Sequence, residues 1–199
     1  MILQASHIAK AFGSKQVLKD VSFSMEKGSL IGIVGENGSG KSTLLNILVG
    51  RYAADQGEIQ LKGKIGFCPQ KPLIFPQLTV DEHFQYFAAA YQLAGEEWEI
   101  SREKLLEQFH FEKYRKQRVA TLSGGTQQKL NLSLALLHEP EILILDEPYN
   151  GFDWETYQRF WAYSSALKEK GHAILVVTHL VTDTHLFDHI FHLNEGKLI

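Results

Sequence analysis

The run SLIGIVGENGSGKSTLLNILVG, residues 29–50, decides how the chain is read. After Ser29 the residues from Leu30 to Val34 are apolar apart from Gly32, the pattern of a strand buried on both faces of a parallel sheet. KSTLLNILVG, residues 41–50, reads as a short helix stopped at Gly50. Between them GENGSGKS fits G-x-x-x-x-G-K-[ST], in the strand–loop–helix setting that gives the motif its mechanics. Its glycines let successive backbone N–H groups curl around phosphate oxygens, and the helix N-terminus adds partial positive charge. Gly35, Asn37, Gly38, Ser39, Gly40, Lys41, Ser42 and Thr43 are therefore the expected nucleotide-binding residues. In that cradle Lys41 reaches the β- and γ-phosphates, Ser42 offers a hydroxyl to Mg²⁺, and Thr43 lies beside the α-phosphate.

Two further strands point the same way. EILILDEP, 141–148, is an apolar run that ends in two acids, Asp146 and Glu147. Open α/β sheets take their ligands at the carboxyl ends of strands. Asp146 is suited to holding Mg²⁺ through its water shell, and Glu147 to orienting the attacking water. AILVVT, 173–178, is followed by His179, which can donate a hydrogen bond to a γ-phosphate. Each motif has a plain structural reading: a glycine turn, two solvated acids before Pro148, a histidine at a strand end. Three strands of one sheet ending in phosphate-competent groups favour function.

A second glycine site complicates the picture. TLSGGTQQK, 121–129, reads as an N-capped helix start in which Ser123 is the cap and Gly124 and Gly125 expose backbone N–H groups. Taken alone, an ordinary capped helix accounts for it.

The remaining text sets the architecture. Strands are expected over 17–25, 57–63, 64–70, 190–194 and 197–199, and a helix from Trp154 to Lys170. From Thr79 to Tyr114 the apolar residues recur at three- and four-residue steps, as Leu105, Leu106 and Phe109 do, with charges between them. A further helix runs from Ser123 to His138, with Leu130, Leu134 and Leu137 on one stripe and Leu132 and Leu136 elsewhere, so it is expected to be largely buried. The fold expected is α/β: a P-loop NTPase parallel sheet core, an N-terminal β subdomain, and an inserted helical lobe. One domain spans 1–199, its core at 1–72 and 139–199 and its lobe at about 73–138.

Composition excludes several classes. The 199 residues are 44% apolar, enough for a sizeable core. A formal net charge of −3 gives no electrostatic case for binding nucleic acid or an anionic membrane. The single cysteine, Cys68, cannot staple the fold and fits a reducing compartment. MILQASHIAKAF has neither the charged start nor the apolar run of a secretory leader, and no segment reaches membrane-span length.

In this order the pieces resemble the nucleotide-binding subunit of ATP-binding cassette (ABC) transporters, over essentially the whole chain. The carrying motifs are GENGSGKST, Gln70 in FCPQ, LSGG at 122–125, ILILDEP, NGFD at 150–153, and VTH ending at His179. LSGG separates this family from other P-loop proteins. A metabolite kinase would leave it, the acid pair and His179 without a role.

The resemblance implies that Gln70 senses Mg²⁺ and the attacking water, and that Phe12 stacks on adenine, for which a flat π-face suffices. It implies a head-to-tail homodimer, or a heterodimer with a similar cassette. Each ATP would then lie between one chain's P-loop and its partner's Ser123, Gly124 and Gly125, with Asp153 touching the partner. It further implies ATP hydrolysis coupled to a separate transmembrane permease, with the chain cytoplasmic and peripheral on the inner face of the cell membrane. Leu73, Ile74, Phe75 and Phe84 are candidates for the groove that receives the permease, and LTVDEHFQYFAAAYQL leans toward export. The rival reading is a non-transport ABC ATPase acting on nucleic acid or ribosomes. Too few residues separate P-loop and signature for a long coiled coil, and only one cassette is present. The chain departs from the family pattern at Thr126 and at Asn150-Gly151-Phe152-Asp153, and no regulatory extension is expected after Ile199.

Overall fold

The apolar run of 30–34 sits inside a six-stranded sheet. The structure, a computed structural model, describes residues 1–179 and 184–199. In chain order its strands are β1 (Leu3–Phe12), β2 (Lys15–Met25), β3 (Leu30–Val34), β4 (Gln56–Leu61), β5 (Ile65–Cys68), β6 (Ile142–Asp146), β7 (Ala173–Thr178), β8 (His189–Asn194) and β9 (Lys197–Leu198). The large sheet has the order β5-β6-β7-β3-β8-β9, and β2-β1-β4 form a separate sheet. β3 pairs in parallel with β7 and β8, and β6 with β7; β9 closes the edge antiparallel to β8. The parallel sheet core and the N-terminal β subdomain are thus both present. β6 and β7 are buried along their whole length, which is why their sequences are continuous rather than alternating.

Two compact units divide the chain: Met1–Phe67 with Glu141–Glu147 and Leu167–Ile199, and Cys68–Pro140 with Pro148–Ala166. In the first, the helix α1 (Lys41–Leu48) contributes Leu44, Leu45, Ile47 and Leu48 to a core shared with Leu18, Val21, Ile31, Ile33 and Val177. Each such side chain contributes roughly 1.5–3 kcal/mol on burial.

The second unit holds α2 (Val80–Ala90), α3 (Glu97–Gln108), α4 (Gly124–Leu136) and most of α5 (Trp154–Glu169). A capping box starts α2: the Thr79 hydroxyl accepts from the Glu82 N–H, and the Glu82 carboxylate accepts from the Thr79 N–H. α4 is buried nearly all round, as its two leucine stripes require.

Two features depart from the sequence reading. The helical text from Thr79 to Tyr114 does not continue through Tyr114. α3 ends at Gln108, His110 turns at φ 51°, and a 3-10 turn covers Glu112–Tyr114. Phe109 and Phe111 are both fully buried, and the left-handed His110 between them ends the helix. Sequence also assigns Pro148–Ala166 to the core, whereas these residues group with the lobe. The reason is aromatic. Tyr149 packs on Phe160 and Trp161 with ring centroids 5.7 Å away in each case, and Phe109 meets Tyr163 edge-on at 5.8 Å.

Candidate nucleotide-binding site

Gly40 caps α1 at φ 110°, a conformation that glycine alone adopts without strain, so the loop enters the helix through a left-handed residue. Glu36, Asn37 and Gly38 form an exposed tip. Lys41 is the reverse: it is buried, and its Nζ donates to the Gly35 carbonyl at 2.6 Å and the Glu36 carbonyl at 2.8 Å. Burial pushes its ammonium pKa down, opposed by the nearby carboxylates of Glu147 and Asp146. The Ser39 hydroxyl is buried and makes no hydrogen bond among the described residues. A buried hydroxyl without a partner costs free energy, so a loop built this way suits an added acceptor such as a phosphate oxygen.

Because β3, β6 and β7 run parallel, their carboxyl ends share one sheet edge. Asp146 pairs in register with Val177, and Val34 with Thr178. The Asp146 carboxyl is raised from 3.8 to about 6, first by burial and then by the Glu147 charge, against Lys41 and a hydrogen bond from Ser42. Glu147 is 5% exposed and sits at φ 48°, a strained setting for a residue with a side chain. Its N–H donates to the Val177 carbonyl at 2.8 Å. Its Oε1 lies 2.6 Å from His179 Nδ1, and an ionised carboxylate only accepts, so Nδ1 carries the hydrogen and donates. Lys41, Ser42, Asp146, Glu147 and His179 therefore lie together at the carboxyl ends of these strands.

The donor set also fits Mg²⁺. The Ser42 hydroxyl and the Asp146 carboxylate are hard oxygen ligands in contact with each other, and Mg²⁺ takes one or two such groups and completes its shell with substrate phosphate and water. Among the described residues no cluster of three or more His, Cys, Asp or Glu side chains offers a metal cage of protein ligands alone.

Asp146 gives the first prediction. A carboxyl whose folded pKa is about 6 against 3.8 binds its proton more tightly when folded. Its contribution to stability is present below about pH 4 and lost as pH rises through 6, up to ~3 kcal/mol by linkage. Asparagine does not titrate. Asp146→Asn is thus expected to gain thermal stability over wild type without nucleotide at about pH 7.5, and the gain should shrink toward zero near pH 4. Paired melting curves across that range check it.

The second unit holds Gln70, Ser123, Gly124, Gly125 and Asp153. Ser123 caps α4: its Oγ accepts from the Thr126 N–H at 3.3 Å and lies 2.9 Å from the Thr126 hydroxyl. Ser123 and Gly124 are exposed, and a Cβ on Gly124 would meet nothing within 4 Å. Gly125 differs, since a Cβ there would stand 2.3 Å from the Gly151 carbonyl. That contact explains the glycine in LSGG, whereas Gly151 of NGFD sits at φ 79°, a left-handed conformation that favours glycine. Thr126, a departure in sequence, is buried with its hydroxyl against the cap. Asp153 caps α5, its Oδ1 accepting from the Thr156 N–H at 2.7 Å, which holds its carboxyl below the usual range. Gln70 is exposed and belongs to this unit.

Phe12 lies in the first unit. It is 48% exposed at the end of β1, edge-on to Tyr52 at 5.8 Å. Of the four groove candidates, Leu73 and Phe75 are exposed, Ile74 is half-buried, and Phe84 is fully buried in the lobe, which removes it from the surface. Tyr86, which sequence missed, is 52% exposed and edge-on to Phe75 at 5.1 Å. Its signal was its spacing, two residues past Phe84 and so on the opposite side of α2.

The profile of the ABC transporter family matches residues 18–150. The chain is 32% identical to the linearmycin resistance ATP-binding protein LnrL of Bacillus subtilis, over 100% of this chain and 68% of that protein. It is 28% identical to ABC transporter G family member 20 of Dictyostelium discoideum, again over its whole length but spanning only 29% of that relative. Among solved structures it matches an ATP-binding cassette in a dimeric post-hydrolysis state bound to ADP and Pi, with a TM-score of 0.90, 26% identity, and coverage of 99% and 96% of the two chains. The P-loop NTPase fold, the acid pair beside Lys41 and the profile match agree, and the chain belongs to the ABC transporter family as an ATP-binding cassette of the ATPase kind.

Proposed function

We propose that two copies of this chain, or one copy and a similar cassette, close around ATP, and that hydrolysis reopens them to drive a separate membrane permease. The observation that carries this reading is the exposure of the Ser123–Gly124 turn, whose backbone N–H groups start α4 without a side chain over Gly124. A helix N-terminus left open in this way suits an anion brought by another molecule. One surface then forms two sites under two-fold symmetry.

In this reading Lys41 leaves the carbonyls of Gly35 and Glu36 for the β- and γ-phosphates. Ser39 gains the acceptor it lacks, and Phe12 stacks on adenine. Ser42 and Asp146 would hold Mg²⁺, with Gln70 the further ligand that the family resemblance implies, and the ion would supply charge neutralisation to the phosphates. Glu147 orients the attacking water and takes its proton, while His179 fixes the Glu147 carboxylate through Nδ1 and keeps Nε2 for the γ-phosphate. Differential binding of the closed and open arrangements does the mechanical work.

No helix among the described residues is long and apolar enough to cross a membrane, so membrane work calls for a partner. Leu73, Phe75 and Tyr86 supply an exposed apolar patch for a permease segment, which would hold the chain at the inner face of the membrane. The resistance role in the LnrL name favours export over import. The test is a pull-down of the tagged chain from detergent-solubilised membranes. A co-purifying multi-span protein is expected, and its recovery should fall when Phe75 and Tyr86 are both changed to Ser. Recovery of ribosomes instead would favour the rival reading.

A further inference from the structure

α4 carries two buried amide side chains that the hydrolysis scheme does not use. Gln128 and Asn131 are 3% and 4% exposed, and three residues apart they lie on one face of the helix. The Asn131 Nδ2 donates to the Pro69 carbonyl at 2.9 Å and approaches Cys68 Sγ at 3.2 Å and Gln128 Oε1 at 3.4 Å. The Gln128 Nε2 donates to the Pro148 carbonyl at 3.2 Å and lies 3.7 Å from Cys68 Sγ. Buried amides in a helix interior are costly unless paired, and these are paired with two particular carbonyls.

Those carbonyls occupy informative positions. Pro69 immediately precedes Gln70, and Pro148 immediately follows Glu147. They also stand where the chain enters the second unit, at Cys68, and where it re-enters, at Pro148. Proline has no N–H, so at each point the carbonyl is the backbone's only hydrogen-bonding group. The helix that holds both carbonyls begins at Ser123, the cap of the exposed signature turn. One helix thus joins the signature turn to the backbone just before Gln70 and just after Glu147.

We propose that Gln128 and Asn131 are positioning residues for hydrolysis: through the Pro69 and Pro148 carbonyls they set the placement of Gln70 and Glu147, and so govern turnover without governing ATP affinity. The inference rests on the reading that Gln70 and Glu147 serve hydrolysis. Neither amide belongs to the P-loop unit, so single-chain ATP binding should be untouched.

The experiment compares wild type with Gln128→Leu and Asn131→Leu, which remove the donors at similar volume. Three quantities are read: the Kd for ATP, kcat, and hydrogen exchange at the Gln70 amide without nucleotide. Each substitution is expected to lower kcat by about 10-fold to 100-fold and to speed Gln70 exchange by about 10-fold, with Kd kept within about threefold. Asn131→Ser keeps one donor in a small side chain and covers the case in which leucine does not fold there. It should move kcat and exchange in the same direction by a smaller factor. Values of kcat and exchange within about threefold of wild type overturn the proposal, as does a Kd that weakens in parallel with kcat. Wild type that binds ATP but shows no turnover would instead overturn the hydrolytic reading and this inference with it.

Discussion

Glu147→Gln is expected to lower kcat for ATP hydrolysis about 10³-fold, the size typical of a lost general base. The variant keeps the shape of the side chain. Its amide oxygen can still accept from His179 Nδ1, now 2.6 Å from Oε1, so the pair stays in place. What disappears is the basic carboxylate that takes a proton from water. The backbone strain at φ 48° is shared by both side chains, so folding should be little changed. ATP affinity should hold or tighten, because one negative charge beside the triphosphate is gone. Steady-state turnover and nucleotide binding, measured on the same preparation, check both halves. Loss of less than about threefold would move the base elsewhere.

Lys41→Ala is expected to cost the most in binding. The ammonium is buried and already has a depressed pKa, so it is held in a low-dielectric setting where its attraction to phosphate is strong. Truncating one member of a buried, hydrogen-bonded charge pair costs about 2–5 kcal/mol, or roughly 30-fold and more in affinity. The protein without nucleotide should also suffer, since the carbonyls of Gly35 and Glu36 lose their donor and the Asp146 and Glu147 charges lose the Lys41 charge that offsets them. Lys41→Arg should not rescue, because the larger fork does not fit between those carbonyls. Calorimetric titration with ATP reads the effect directly, and an unchanged Kd would remove Lys41 from the site.

Much of this site is legible in the sequence because its chemistry sits where the pattern changes. Glycines interrupt an apolar strand at residue 35, and acids interrupt another at 146. Each break marks a strand end, and parallel ends converge. The cap at Ser123 was legible for the same reason, as a small polar residue before a helical repeat. What escaped the sequence depends on packing between distant segments. The clash of a Cβ on Gly125 with the Gly151 carbonyl has no local signature. Nor has the grouping of Tyr149 with Phe160, which places 148–166 in the lobe. Phe84 and Tyr86 look alike in a string, and only the helix orientation sends one inward and the other to the surface. Asn131 reads as a polar residue in an apolar helix, and its partners, Cys68 and Pro69, lie more than sixty residues away.

The most direct test of the account is the molecular mass of Glu147→Gln in solution, by light scattering, with and without ATP and Mg²⁺. The account predicts a single chain without nucleotide and a doubling of mass with it. The same doubling should be absent when Ser123→Arg is added, although that double variant still binds ATP. A protein that saturates with ATP yet keeps its single-chain mass would contradict the claim that the γ-phosphate joins two copies.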